Sequence, residues 1–237
     1  MCTLVLLHRP GETWPLLLAA NRDELLSRPW QPPAAHWPDQ PDVVGGRDTL
    51  AGGTWLAWNA AGVVAGVLNR SGSLGPQAGK RSRGDLPLLA LRHPAALDAA
   101  ADLAAEDAGD WRSFNLVIAD SYHAFFVRGL GSGPLTVTPL PPGLHMITHN
   151  DPNDPETPRV ARHLPRFQAA PIPNPPDWST WPKLLADSEG PREAALCIPE
   201  TNGFGTASAT LIGLSPTARN VLFAAGPPAT AEFLRVG

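Results

Sequence analysis

The residue with the most chemical potential stands second in the chain. Cys2 precedes an apolar run at 3–7 (TLVLL), and removal of the initiator Met1, which the small cysteine side chain permits, leaves a thiol and a free α-amine on one carbon. Their unperturbed pKa values are about 8.5 and about 7.7–8.0. Near neutral pH the amine can therefore take up the proton as the sulfur attacks an electrophile. The reaction such a pair performs is nucleophilic attack on a carbonyl carbon. A cysteine beside an apolar run also fits an inert core position. What separates the two readings is which polar groups the rest of the chain delivers to Cys2.

Residues 3–8 (TLVLLH) and 15–20 (PLLLAA) read as two buried strands, and the Pro10-Gly11 between them favours a hairpin. With the turn centred near Gly11-Glu12, paired residue numbers add to about 23–24. Position 2 then lies opposite 21 or 22, and Asn21, Arg22, Asp23 and Glu24 arrive at the Cys2 end of the sheet directly after the strand. Four consecutive polar residues suit the lining of a site; a solvated charged turn is the alternative. Residues 29–53, rich in Pro, Trp, Gly and Asp, read as a long ordered loop that could wall a pocket. Its glycines match no phosphate-cradling spacing.

Further hairpins are expected at 54–59 with 63–68, at 114–119 with 122–128, and at 204–214 with 221–225. Short strands are expected at 135–139 and 144–148. Helices are expected at 85–92, capped by Ser82 or Asp85, at 94–107, at 156–167 and around 182–187, with a loop over 71–83. About ten strands in hairpins, with helices grouped between them, favour an α+β layered fold over a doubly wound parallel sheet. No repeat or linker breaks the 237 residues, so a single domain over 1–237 is expected.

Composition narrows the function classes. Apolar residues make up 43% and charged residues 17%, which is globular rather than disordered. A formal charge of −4, with Lys80-Arg81-Ser82-Arg83 as the one basic cluster, argues against a nucleic-acid partner. The run at 4–7 is too short for a signal peptide, and no run approaches the ~20 residues of a membrane span. Two cysteines, Cys2 and Cys197, give no disulfide framework, so a cytoplasmic location is expected. Cys197, between Leu196 and Ile198, reads as a core residue. His145 and His149 are four apart, but they flank a strand-to-loop break rather than a helix and read as ordinary polar residues.

Several motifs together carry a resemblance. Met1-Cys2-Thr3, Asn21-Arg22-Asp23-Glu24, Gly45-Gly46-Arg47-Asp48 with Gly52-Gly53-Thr54-Trp55-Leu56, Ser82-Arg83-Gly84, Phe114-Asn115-Leu116, Thr157-Pro158-Arg159-Val160 and Phe204-Gly205-Thr206 look like the NRDE-motif family, also called the transport and Golgi organisation family. That family is similar to N-terminal-nucleophile hydrolases, which implies a four-layer αββα sandwich of two antiparallel sheets flanked by helices. Family members have been linked to haem trafficking, and eukaryotic ones to lipid or acyl-CoA metabolism. A more distant likeness is to the bile-salt hydrolase and penicillin V acylase group. It implies Cys2 as nucleophile, Asp23 as the carboxylate that holds the terminal amine, and Asn69 and Asn150 as oxyanion partners. Arg22 would lower the thiol pKa or bind an acidic part of the ligand. Asn21, Glu24 and Arg47 are the further substrate-binding candidates.

Two departures bear on the substrate. The acylase group has an arginine three residues before the aspartate, where this chain has Ala20, and the family's late Gly-Thr-Arg is here Gly205-Thr206-Ala207. Arg22 lies beside Asp23 but leaves the other face of the strand. The resemblance implies an N-terminal-cysteine hydrolase that cleaves amide or thioester bonds of a small acyl substrate and requires no cofactor. The alternative is a trafficking protein that carries haem or an acyl ligand on the same fold without turnover, since a thiolate or histidine can ligate haem iron. A purely structural protein is least in keeping with polar residues at several strand ends.

Overall fold

The computed structural model describes residues 2–236, so the expected loss of Met1 lies outside it. The chain forms two compact units. One holds the described residues up to Arg28 together with those from Pro142 on, and the other is Pro29–Pro141.

The first unit is a six-stranded sheet built from β1 (Thr3–His8), β2 (Leu16–Leu25), β10 (Gly143–Ile147), β11 (Phe204–Leu214), β12 (Arg219–Ala224) and the short β13 (Leu234–Arg235). The spatial order is β10-β1-β2-β11-β12-β13, and every neighbouring pair is antiparallel. Helices α3 (Pro158–Ala169) and α4 (Trp181–Leu185) belong to this unit. Val5, Leu7, Leu17, Ala19, Ala209 and Leu211 pack with Val160, Phe167, Trp181 and Leu185, so these odd-numbered strand positions form the face toward the helices. Leu4, Leu6, Leu16 and Leu18 on the other face are also buried, which is why both runs are continuously apolar rather than alternating.

The second unit is a seven-stranded sheet in chain order: β3 (Trp30–Ala34), β4 (Val44–Asp48), β5 (Thr54–Trp58), β6 (Val64–Asn69), β7 (Phe114–Ala119), β8 (Ala124–Gly129) and β9 (Thr136–Pro139). Helices α1 (Asp85–Ala90) and α2 (Ala96–Leu103) cover it, with Leu86, Ala90, Ala99 and Leu103 sharing a core with Phe114, Leu116 and Ile118.

The fold is α+β with two antiparallel sheets, as the hairpin count implies. Two local expectations fail. Residues 29–53 are not one loop, because they contain β3 and β4; Pro32 and Pro33 are tolerated since β3 is an edge strand. Neither Ser82 nor Asp85 caps α1, whose N-cap is Gly84 without a side-chain bond. Backbone meets backbone here: a Cβ on Gly53 would come 2.5 Å from the Gly84 carbonyl carbon, and one on Gly84 3.0 Å from the Thr54 nitrogen. The Gly52-Gly53-Thr54 stretch thus closes the second unit, with the Thr54 N–H donating to the Gly84 carbonyl. No helix among the described residues is long and apolar enough to cross a membrane.

Candidate functional site

The β1–β2 register is the expected one. Thr3 pairs with Asn21 and His8 with Leu16, which brings Cys2 opposite Arg22. The strand runs further than the sequence suggested: β2 extends to Leu25, so Asn21–Glu24 are strand residues rather than a turn beyond it. Pairing to β11 explains the extension: the β1 pairing ends at Asn21, and Arg22, Asp23, Glu24 and Leu25 are matched by Ser208, Thr206, Gly205 and Phe204. Alternation then divides these residues between the faces, with Asn21 and Asp23 toward the helices and Arg22 away from them.

Cys2 is partly exposed, and the backbone of Asp23 brackets its sulfur. The Asp23 N–H donates to Sγ at 3.4 Å, and the thiol donates to the Asp23 carbonyl at 3.6 Å. Burial and the Asp23 carboxylate push the thiol up from its ordinary range, while the charge of Arg22 pulls the other way. The Asp23 carboxylate is itself sealed from solvent. Its Oδ1 accepts from the Thr206 hydroxyl at 2.6 Å, and its Oδ2 accepts from Arg159 at 3.2 Å. The same Arg159 nitrogen donates to the Thr3 hydroxyl at 2.9 Å. Thr206 faces Asp23 in the β2–β11 pairing, and its oxygen also accepts from the Ile198 N–H at 2.7 Å.

The Thr206–Arg159 pair was missed from sequence, although both residues sit in motifs that were read. The signal was available at Arg159. It follows Pro158 in the first turn of α3, where the helix dipole favours anions, so a buried cation there needs a tertiary partner. Between Thr206 and Ser208 the register shifts by one residue, placing Ala207, the position of the absent late arginine, in a bulge.

The other candidates separate. Asn21 Nδ2 donates to the Leu185 carbonyl at 2.9 Å and the Leu196 carbonyl at 3.0 Å, which commits both amide hydrogens to closing the end of α4. That leaves no Nδ2 hydrogen for a ligand. Glu24 accepts from the Leu25 N–H and faces Arg28 at 4.0 Å, toward the outside of the strand end. Asn150 Nδ2 donates to Asp154 at 2.8 Å and to the Thr157 hydroxyl at 3.1 Å. The Asn150 bond, joined by the Glu156 N–H, holds the Asp154 carboxyl below its usual range, so this amide organises the loop that enters α3. Asn69 and Arg47 belong to the second unit, Asn69 at the end of β6 opposite Phe114 and Arg47 on β4 between Gln31 and Thr54.

Cys197 is buried, as expected, and burial pushes its thiol up; it lies within reach of Thr206 and the Asp23 charge. His145 Nδ1 meets Asn153 Nδ2 at 3.1 Å, a loop contact. Among the described residues no group of three or more His, Cys, Asp or Glu is placed to hold a metal ion.

Comparison with known proteins agrees with this arrangement at the level of fold. An N-acylethanolamine-hydrolyzing acid amidase ortholog from Caenorhabditis elegans superposes with a TM-score of 0.63 at 11% identity, covering 92% of this chain and 94% of that one. Penicillin V acylase from Agrobacterium tumefaciens gives 0.57 at 14% identity, covering 100% of this chain and 86% of the other. The C2A mutant of conjugated bile acid hydrolase from Clostridium perfringens gives 0.57 at 13%, covering 100% and 92%. These are proteins of N-terminal-nucleophile hydrolase fold, and the likeness extends over nearly the whole chain. No curated protein sequence matches. The family model described as Transport and Golgi organisation 2 matches residues 1–174, and the chain belongs to that family.

Proposed function

We propose that the protein is an N-terminal-cysteine hydrolase acting on amide or thioester bonds of a small acyl substrate. The observation that carries this reading is the bracket around Cys2. The thiol of a partly exposed residue accepts from the N–H of a strand residue whose carboxylate is buried, hydrogen-bonded and ion-paired. An inert core cysteine needs no such support. The three solved relatives are named as amide-cleaving or acyl-cleaving enzymes, which supports the same class at the level of a shared fold.

In the proposed reaction, with Met1 removed, the α-amine of Cys2 takes the thiol proton while sulfur bonds to the carbonyl carbon and the π pair moves to oxygen. Collapse of that intermediate breaks the bond to the amine or thiol leaving group, which departs with the proton. Water then adds to the acyl carbon and the carbon–sulfur bond breaks, releasing the acid while a proton from that water returns to sulfur. An oxyanion donor contributes about 10²–10³-fold in such chemistry. Asn150 can serve only by releasing one of its two loop bonds. No cofactor is required by these steps.

A panel of p-nitroanilide and thioester substrates, run with the native protein and with Cys2→Ala, tests the reading beside intact-mass measurement. Turnover abolished by Cys2→Ala and a mature mass lacking Met1 are expected. Retained Met1 overturns the autonomous proton transfer. Tight haemin binding with no turnover on any member of the panel replaces the hydrolase with the carrier.

A further inference from the structure

Arg159 is chemically misplaced by every local criterion. It occupies the first turn of a twelve-residue helix, where the aligned peptide dipoles disfavour a cation, and it is 3% exposed. A buried guanidinium is retained only where partners meet it. Those on Arg159 include the Thr3 hydroxyl, next to Cys2 in the chain, and the carboxylate of Asp23, whose backbone brackets the sulfur. Arg159 therefore ties β1 to β2 from the helix side at the level of the thiol. It also places a positive charge against the Asp23 carboxylate, whose charge opposes thiolate formation at Cys2.

We propose that Arg159 is a positioning residue for Cys2: through its ion pair with Asp23 it neutralises that carboxylate and fixes the backbone segment that brackets the sulfur. The proposal rests on the reading of Cys2 as the nucleophile, but it concerns thiol reactivity and not any particular substrate. Arg159 does not touch the reacting atoms; it acts through Asp23. The charge that positions 20 and 207 do not supply comes instead from α3, across the helix-facing side of the sheet. The ionisable groups that act on the thiol are Arg22 and Asp23 from β2, with Arg159 from α3 behind Asp23; the Cys197 thiol, before β11, feels the same Asp23 charge.

The test is the pH dependence of Cys2 alkylation by iodoacetamide, read residue by residue by peptide mapping so that Cys197 does not contribute. Arg159→Met uncovers the Asp23 charge. Opposite charges in contact typically move a pKa by about 1–3 units, so acting at one remove the substitution should raise the thiol pKa by about one unit and slow alkylation near neutral pH about tenfold. Arg159→Lys, which keeps the charge, should restore most of the rate. In an Asp23→Asn background, where there is no carboxylate to neutralise, Arg159→Met should change the rate less than twofold. That double variant also removes the uncompensated charge, so it keeps the test open should Arg159→Met alone fail to fold.

A folded Arg159→Met protein with the native alkylation profile overturns the proposal. So does an equal effect of Arg159→Met with and without Asp23, which would mean Arg159 acts independently of the carboxylate. Because alkylation needs no substrate, a protein with no turnover on the acyl panel but the expected alkylation pattern loses the hydrolase reading and keeps this one.

Discussion

Helix α3 carries three arginine–aspartate contacts of two kinds, which differ chiefly in how far the arginine reaches water. Near its start Arg159 meets Asp23, with the two side chains 4% and 0% exposed. Farther along, Arg162 and Arg166 meet Asp187, with the arginines 29% and 42% exposed and the aspartate 6%. The charges are the same and the distances comparable. At the surface, solvent can take over from a lost partner; in the interior the remaining charge has no substitute. The inner pair is therefore expensive to keep and costly to break, and its retention makes sense for what it positions. The outer pairs close the helix onto the segment at 187–189, and because they share Asp187 the loss of Arg166 alone should be nearly silent.

The largest effect should come from Arg159→Met. Breaking a buried pair by removing one partner costs about 3–5 kcal/mol, measured by urea unfolding at neutral pH. A cost below about 1 kcal/mol would place the inner pair with surface ion pairs and end the comparison. Removing both partners, in Asp23→Asn with Arg159→Met, should recover part of the loss.

Thr206→Val sharpens the inner half. The substitution preserves shape but removes the hydroxyl that donates to Asp23 and accepts from the Ile198 N–H. Hydrogen bonds to charged groups contribute about 1.5–3 kcal/mol, and that is the expected destabilisation by urea unfolding. Thr206→Ser should return most of it.

The outer half has its own buried group. His163 lies one turn from Arg166, fully buried, with Nε2 donating to the Ala194 carbonyl and Nδ1 accepting from Arg166. Burial lowers its pKa from 6.5 to about 4. The folded pKa lies below the unfolded one, so the unfolded chain binds more protons between these values. Stability is thus full above pH 6.5 and falls as pH drops toward 4. The slope is at most about 1.4 kcal/mol per pH unit, reduced by the solvent that reaches the neighbouring arginines, for a total of roughly 2 kcal/mol. Urea unfolding at a series of pH values should show this slope, and His163→Gln should flatten it.

The hairpin register was legible in the sequence because two apolar runs and one Pro-Gly turn leave few alternatives: it put Cys2 opposite position 21 or 22, and the pairing of Thr3 with Asn21 selects 22. The β3–β4 pair was not, because proline and glycine signal a loop unless a neighbouring strand is known to wait for them. The same limit applies to the site. Asp23 is adjacent to Cys2 by local pairing and could be found. Arg159 and Thr206 reach Asp23 across 136 and 183 residues of sequence, a distance no local period encodes. Asn21 is the converse case: an asparagine at a strand end suits a ligand or an orphaned helix carbonyl equally, and only the packing of α4 shows that its Nδ2 meets the Leu185 carbonyl.

The smallest effect is expected from Arg166→Met, and it tests both halves at once. Arg166 is the most exposed of the three arginines, and Arg162 remains beside Asp187 after its loss, so the cost at neutral pH should be about 0–1 kcal/mol. Its second role lies with His163. The Arg166 guanidinium disfavours a charged imidazole, and the Nδ1 it bonds becomes free to accept a proton once it is gone. The His163 pKa should therefore rise toward 6.5, narrowing the window over which folded and unfolded chains differ in protons bound. Arg166→Met should thus be nearly neutral near pH 7 yet lose less stability than the native protein as pH falls. A cost at neutral pH as large as that of Arg159→Met would mean that burial is not what separates the two pairs.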